Sequence, residues 1–171
     1  MNTVIIFASR YGTAKECAEI LARQIYGSVD LVDIQTEGVP ELAHYDQVII
    51  GGSIRFGQIQ KQIKRFCREN IEELTKKKIG LFICCGLLEN AKQNIENSFP
   101  QQLLDHAAAV ECFGGKIDLN KLSFFDRIIT NMVMKAVDQQ GISRTLLVEK
   151  IDRFCHKMNR DITKERMKEP E

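Results

Sequence analysis

The chain has no tryptophan, three prolines and a formal net charge of only +1, and its six cysteines form no Cys-x-x-Cys pair. Each shortage excludes something. Near-zero net charge leaves no global field to draw nucleic acid or strongly acidic partners. Without paired or clustered Cys and His spacing, neither a structural zinc site nor a disulfide framework is expected. Five of the six cysteines (Cys17, Cys67, Cys84, Cys85, Cys112 and Cys155) fall in apolar periodic stretches, where a thiol packs as a small hydrophobe and suits a reducing compartment. The longest apolar runs fall far short of the roughly 20 residues that span a bilayer. No basic segment with a cleavage site opens the chain, so a cytoplasmic protein is expected, at most peripheral at the inner face of the membrane. No repeat, low-complexity tract or linker is visible. The 171 residues suit one domain, large enough to fold without disulfides or metal.

The chain does contain a regular alternation of two patterns. Short unbroken apolar runs at 3–8 (TVIIFA), 47–52 (QVIIGG), 78–85 (KIGLFICC) and 107–113 read as strands buried on both faces. The run 29–34 (VDLVDI) alternates apolar with acidic, as an edge strand does. Between them, apolar residues recur at helical spacing from Ala14 to a stop at Gly27, over 59–74, around 90–104 with an interruption near Pro100, over 120–140, and over 144–159. Strand–helix alternation implies parallel pairing with helices on both faces. The expected fold is therefore a three-layer α/β/α sandwich on a five-stranded parallel sheet of order 2-1-3-4-5. Residues 1–160 make the domain, 116–140 an extra segment after the fifth strand, and 161–171 a charged tail.

In such a sheet, ligands sit beyond the carboxyl ends of the strands, where the strand order reverses. The turns after strands one, three and four are therefore the candidates. The first (Ser9, Arg10, Tyr11, Gly12, Thr13, Ala14) is rich in hydroxyls and opens directly into a helix. Its backbone N–H groups suit a phosphate, and Gly12 lets the backbone come close; alternatively, Ser9 or Thr13 simply caps the helix. No GxxxxGK[ST] or GxGxxG is present, which excludes a triphosphate P-loop and an ordinary dinucleotide turn. A response-regulator receiver is excluded too, because Ala8-Ser9 and Gly52-Ser53 stand where acidic residues would be needed. The second turn (Ser53, Ile54, Arg55, Phe56, Gly57) supplies apolar surface for a planar ring and backbone for its polar edge. The third (Cys85, Gly86, Leu87, Leu88) adds small residues and two leucines. Bonding between the vicinal Cys84 and Cys85 would be strained. His44, His106 and His156 suit surface roles.

Together these turns resemble the flavodoxin family over nearly the whole chain. The stretches GGSIRFG (51–57) and GGKIDLNKLSFFDRIITNMVMK (114–135) resemble the branch of menaquinone-dependent protoporphyrinogen oxidases. The resemblance implies FMN as cofactor, with the first turn on its phosphate and the second and third on opposite sides of the ring. It implies redox chemistry carried by the flavin rather than by a catalytic side chain, and no metal. Quinone, porphyrinogen or a redox protein would be the partner. Two departures stand out: Ala14 replaces the usual Ser or Thr, and Leu147-Val148 replaces an Asp-Trp pair. The ring-contact turns hold no carboxylate before Glu89, and Arg55 is close by. This implies a higher flavin potential than in an acidic carrier.

Three readings stay open: an FMN oxidoreductase related to those oxidases, a flavodoxin-type electron carrier, and a flavin-free interaction module. The apolar stripe Phe124, Phe125, Ile128, Ile129, Met132, Val133, Met134 and Val137 could pack on the sheet, form a homodimer face through 121–140, or admit an apolar substrate. The stretch 61–78 holds seven basic and three acidic residues, a solvated face or one that steers an acidic redox partner.

Overall fold

A computed structural model of the chain describes residues 1–115 and 145–166, with side chains through Arg160. Five parallel strands form one sheet in the order β2-β1-β3-β4-β5, as the alternation predicts. They are β1 (Asn2–Ala8), β2 (Ser28–Asp33), β3 (Gln47–Ser53), β4 (Lys78–Cys84) and β5 (Ala109–Cys112). The unbroken apolar runs become β1, β3 and β4, whose residues are buried on both faces almost throughout. The alternating run becomes β2 at the edge, where no side chain is fully buried.

Helices cover both faces. On one lie α1 (Thr13–Gln24) and the last helix, α6 (Val148–Arg166). Their apolar stripes pack with Ile5, Phe7, Ile49, Phe82 and Phe113. On the other lie α2 (Lys61–Glu69), α3 (Ile71–Leu74), α4 (Ala91–Ser98) and α5 (Gln101–His106), over Val4, Ile6, Val48, Ile50, Leu81 and Ile83. Each fully buried aliphatic side chain contributes about 1.5–3 kcal/mol, so two continuous apolar faces hold the layers together. Phe82 stacks on Phe113 at 5.1 Å and Phe154 of α6 meets Phe113 edge-on at 5.3 Å. Gly80 leaves room for that helix: a Cβ there would sit 2.6 Å from Phe154 Cζ. Among the described residues no helix is long and apolar enough to cross a membrane.

Several boundaries differ from the expected ones, each for a local reason. The helix read over 59–74 divides at Asn70, whose side-chain amide donates to the Phe66 carbonyl at 3.0 Å and so competes with the helical ladder. The helix around 90–104 is interrupted where expected, Phe99 being held extended (φ −122°, ψ 146°) by the following Pro100. The first helix stops at Gln24, short of Gly27. Asn159 of α6 fixes that end, donating to the Gln24 carbonyl at 2.9 Å and accepting from the Tyr26 N–H at 3.1 Å. Gly27 instead permits close approach, since a Cβ there would lie 2.3 Å from the Met1 carbonyl oxygen. The final helix begins later than expected and runs on to Arg166, into the stretch read as tail. The extra segment 116–140, with its apolar stripe, lies outside the described residues.

Candidate functional site

Parallel strands deliver all their following turns to one end of the sheet. The register pairs Ala8 with Gly52 and Ser53 with Cys84, which sets the first turn beside the second and the second beside the third. At the first turn, Gly12 occupies the N-cap of α1 with φ +93°, a conformation that favours glycine, and among the described residues no side chain caps the helix. The Gly12 N–H donates to Ser9 Oγ at 3.1 Å, so Ser9 shapes the turn rather than capping the helix. The first-turn N–H groups of a helix have no intrahelical partner, and the helix dipole adds partial positive charge there. A Cβ on Gly12 would meet nothing within 4 Å, so the space above the turn is open. Arg10 lies over the Tyr11 ring, 5.5 Å from its centroid. Thr13 and Ala14 are buried, Ala14 within the apolar core, so Ala14 can offer a ligand only its backbone.

The second turn is a tight hairpin. Arg55 and Gln58 exchange backbone hydrogen bonds of 2.9 and 3.0 Å, with Phe56 (φ +49°) and Gly57 (φ +72°) at the tip. Positive φ at both tip residues is the type I′ arrangement, which Asn-Gly favours. A phenylalanine at the first tip position is strained, and such strain gathers at functional sites. The ring is also 61 % exposed, beneath the Arg55 guanidinium at 4.7 Å. Ile54 turns inward against the core, and its N–H donates to the Cys84 carbonyl at 2.8 Å, tying this turn to β4.

The third turn, Cys85 to Leu88, leads into a 3-10 turn (Leu88–Asn90). Cys85 is buried, whereas Gly86, Leu87 and Leu88 are half-buried. Gly115, beyond β5, closes against it: a Cβ there would sit 3.0 Å from the Cys85 carbonyl carbon and 3.1 Å from the Gly86 nitrogen. Thus all three candidate turns come together, with the side chains of Thr13, Ala14, Ile54 and Cys85 inward and most of the others at the rim.

Gln60 and the Gly114-Gly115 pair escaped the residue-by-residue reading. Gln60 Oε1 is buried with no hydrogen-bond donor among the described residues. It lies where the first two turns meet: a Cβ on Gly52 would be 2.5 Å from it and 3.3 Å from the Ala8 carbonyl oxygen. A glutamine in a loop carries no sequence signal for this position. Two glycines directly after a strand were a visible sign of close backbone approach.

A Flavodoxin domain family model matches residues 4–142, most of the chain. The chain belongs to the flavodoxin domain family. FMN is the cofactor of this family, and the flavodoxin turns found here fit it: an uncapped helix N-terminus for a phosphate, a presented aromatic ring for a flat ring system, and an orphaned buried acceptor between them. Protoporphyrinogen IX dehydrogenase (quinone) of Escherichia coli K12 is 22 % identical over 147 residues, covering 79 % of this chain and 80 % of that protein. Among solved structures, oxidised flavodoxin 1 of Bacillus cereus aligns with a TM-score of 0.54 at 22 % identity, covering 94 % of this chain and 98 % of that one. The rubredoxin:oxygen oxidoreductase of Desulfovibrio gigas aligns with a TM-score of 0.58 at 14 % identity, covering 96 % of this flavodoxin-domain chain and 36 % of the other. The chain thus spans about a third of that oxidoreductase. These structural likenesses concern the fold.

Proposed function

We propose that this chain is an FMN oxidoreductase that works with a quinone and a porphyrinogen-like substrate. The backbone of Ser9 to Ala14 holds the phosphate at the N-terminus of α1, with Arg10 adding charge. Ile54 to Gly57 covers one side of the ring through Phe56, and Cys85 to Leu88 lines its polar edge. Bound flavin supplies the electron transfer. The chain's residues position it, exclude water and set its potential.

One observation carries the enzyme reading over that of an electron carrier: the strained, exposed Phe56 beneath Arg55, in turns that hold no carboxylate. A cation beside the flavin favours the reduced, anionic form and raises the potential, which suits exchange with a quinone. The E. coli relative, named for protoporphyrinogen and quinone, supports the same direction. The segment 121–140 is proposed as the surface that admits the apolar substrate, either directly or by peripheral contact with a membrane or a second copy.

Two measurements test this. The protein should bind FMN and, so loaded, reduce a quinone at the expense of protoporphyrinogen. Deletion of 121–140 should then abolish turnover and spare FMN binding. FMN-loaded protein that passes electrons to redox proteins but is inert with quinone and porphyrinogen would be a carrier.

A further inference from the structure

Cys84 and Cys85 are neighbours in sequence, yet they do not meet, because successive side chains at the end of a strand point to opposite faces. Cys84 turns toward α1, where its thiol donates to the Cys17 sulfur at 3.5 Å. Cys85 turns to the other face, where its sulfur lies 3.2 Å from that of Cys112 on β5. All four are free thiols and all are buried.

The two pairs sit in different surroundings. Cys17 and Cys84 are packed among apolar side chains. The shared hydrogen bond with Cys17, and then burial, push the Cys84 thiol well above its ordinary range. At the other pair polar groups converge on the Cys112 sulfur. The backbone N–H groups of Gly114 and Cys85 reach it, and Lys150, which holds Glu111 at 2.9 Å, adds positive charge nearby. Cys112 is lowered to about 7, chiefly by the hydrogen bond from Cys85, against the upward pull of burial. Cys85 moves up, because it shares a hydrogen bond with Cys112 and because it is buried. The pair thus sets a thiol drawn toward neutral pH in contact with a second thiol. A lowered thiol pKa beside a second cysteine is one mark of a sensor-type pair, although both sulfurs here are buried.

We propose that Cys85 and Cys112 form a redox-active dithiol, which a hydroperoxide oxidises to a disulfide beneath the third turn. The Cys112 thiolate attacks the terminal peroxide oxygen; the S–O bond forms, the O–O bond breaks and an alkoxide leaves, or hydroxide where the oxidant is hydrogen peroxide. The Cys85 sulfur then attacks the resulting sulfenic acid. The S–S bond forms, the S–O bond breaks, and the hydroxyl departs as water with the Cys85 proton. Two thiol sulfurs lose two electrons in all, and the peroxide gains them. The sulfurs need to close from 3.2 Å to a bond of about 2.05 Å. Cys85 also lies 3.5 Å from the Leu87 carbonyl oxygen, within the same turn, so that closure is a local movement. The couple goes beyond the flavin reading and stands whether or not that reading holds.

The test is peptide mapping of the reduced, full-length protein after brief treatment with hydrogen peroxide, under non-reducing conditions. A disulfide joining the peptide of Cys85 to that of Cys112, reversed by dithiothreitol, is expected. The partner peptide separates this pair from the other, since Cys84 would bond to Cys17. In C85S the attack still occurs but nothing resolves it, so Cys112 should accumulate as a sulfenic acid that dimedone labels. Linkage of Cys17 to Cys84 ahead of Cys85 to Cys112, or no linkage while other thiols oxidise, overturns the proposal. So does dimedone labelling in C85S that misses Cys112. The wild-type map decides the matter even if C85S fails to fold.

Discussion

Replacing Gly12 by alanine separates a phosphate-binding turn from a plain helix start. Gly12 has φ +93° and open space where a Cβ would go, so the protein itself resists the substitution only through backbone strain. That strain costs about 1–3 kcal/mol, and the stiffer unfolded chain offsets about 0.4–1 kcal/mol of it. A net loss of about 1 kcal/mol lowers Tm by roughly 2–4 °C in a domain of this size. Gly38, in the loop after the edge strand, has φ +84° and the same open surroundings, so G38A should lose a similar amount and serves as the control. FMN affinity should divide the two. The added methyl of G12A occupies the space above the helix N-terminus and displaces at least one charge-assisted hydrogen bond, about 1.5–3 kcal/mol. At 1.4 kcal/mol per decade, the Kd rises roughly 10- to 150-fold. FMN titration followed by flavin fluorescence, with thermal melts of the apoproteins, reads both quantities. If G12A and G38A melt alike and bind FMN alike, the phosphate does not sit on this turn.

Three further outcomes are expected. F56A removes a ring that is 61 % exposed, so unfolding free energy should change by no more than about 0.5 kcal/mol. The lost ring contact, about 0.5–1.5 kcal/mol, should raise the FMN Kd a few-fold to tenfold; an unchanged Kd would remove Phe56 from the site. For R55Q, potentiometry should show a lower flavin potential: a unit charge at about 4 Å and a dielectric of 20 is worth at most about 4 kcal/mol, or about 170 mV per electron. Solvent exposure should reduce the shift to a few tens of millivolts, and a rise would contradict the charge reasoning. Alkylation of Cys112 by iodoacetamide should increase with pH through about 7, below the ordinary thiol range. Because the fold favours its thiolate, Cys112 adds stability above the ordinary thiol pKa and loses it as pH falls through about 7, while the raised Cys85 opposes it at high pH. K150A should move the alkylation midpoint upward, and a wild-type midpoint near 9 would refute the assignment.

Much of the scaffold was legible because burial on two faces demands unbroken apolar runs. The stretches 3–8, 47–52 and 78–85 could be little else than central strands, and the acidic alternation of 29–34 placed it at the edge. Helix limits were less legible. Asn70 divides one helix by bonding a carbonyl four residues back, and Asn159 anchors the end of α1 from 135 residues away. A propensity pattern carries neither. Ala14 shows the same limit from the other side: the missing hydroxyl reads as a lost phosphate contact, whereas its side chain lies wholly within the core.

The residue pattern alone determined the layers, the parallel pairing and the end of the sheet where the turns gather. Periodicity states which faces are buried, and parallel strands carry every following turn to one rim. Only the tertiary structure decided how those turns are arranged. It held Phe56 outward on a strained hairpin, buried Gln60 Oε1 with no donor among the described residues, and sent adjacent cysteines to different partners across the sheet. Those outcomes depend on contacts between residues distant in the chain, and a strand's alternation says which side a residue takes but not what awaits it there.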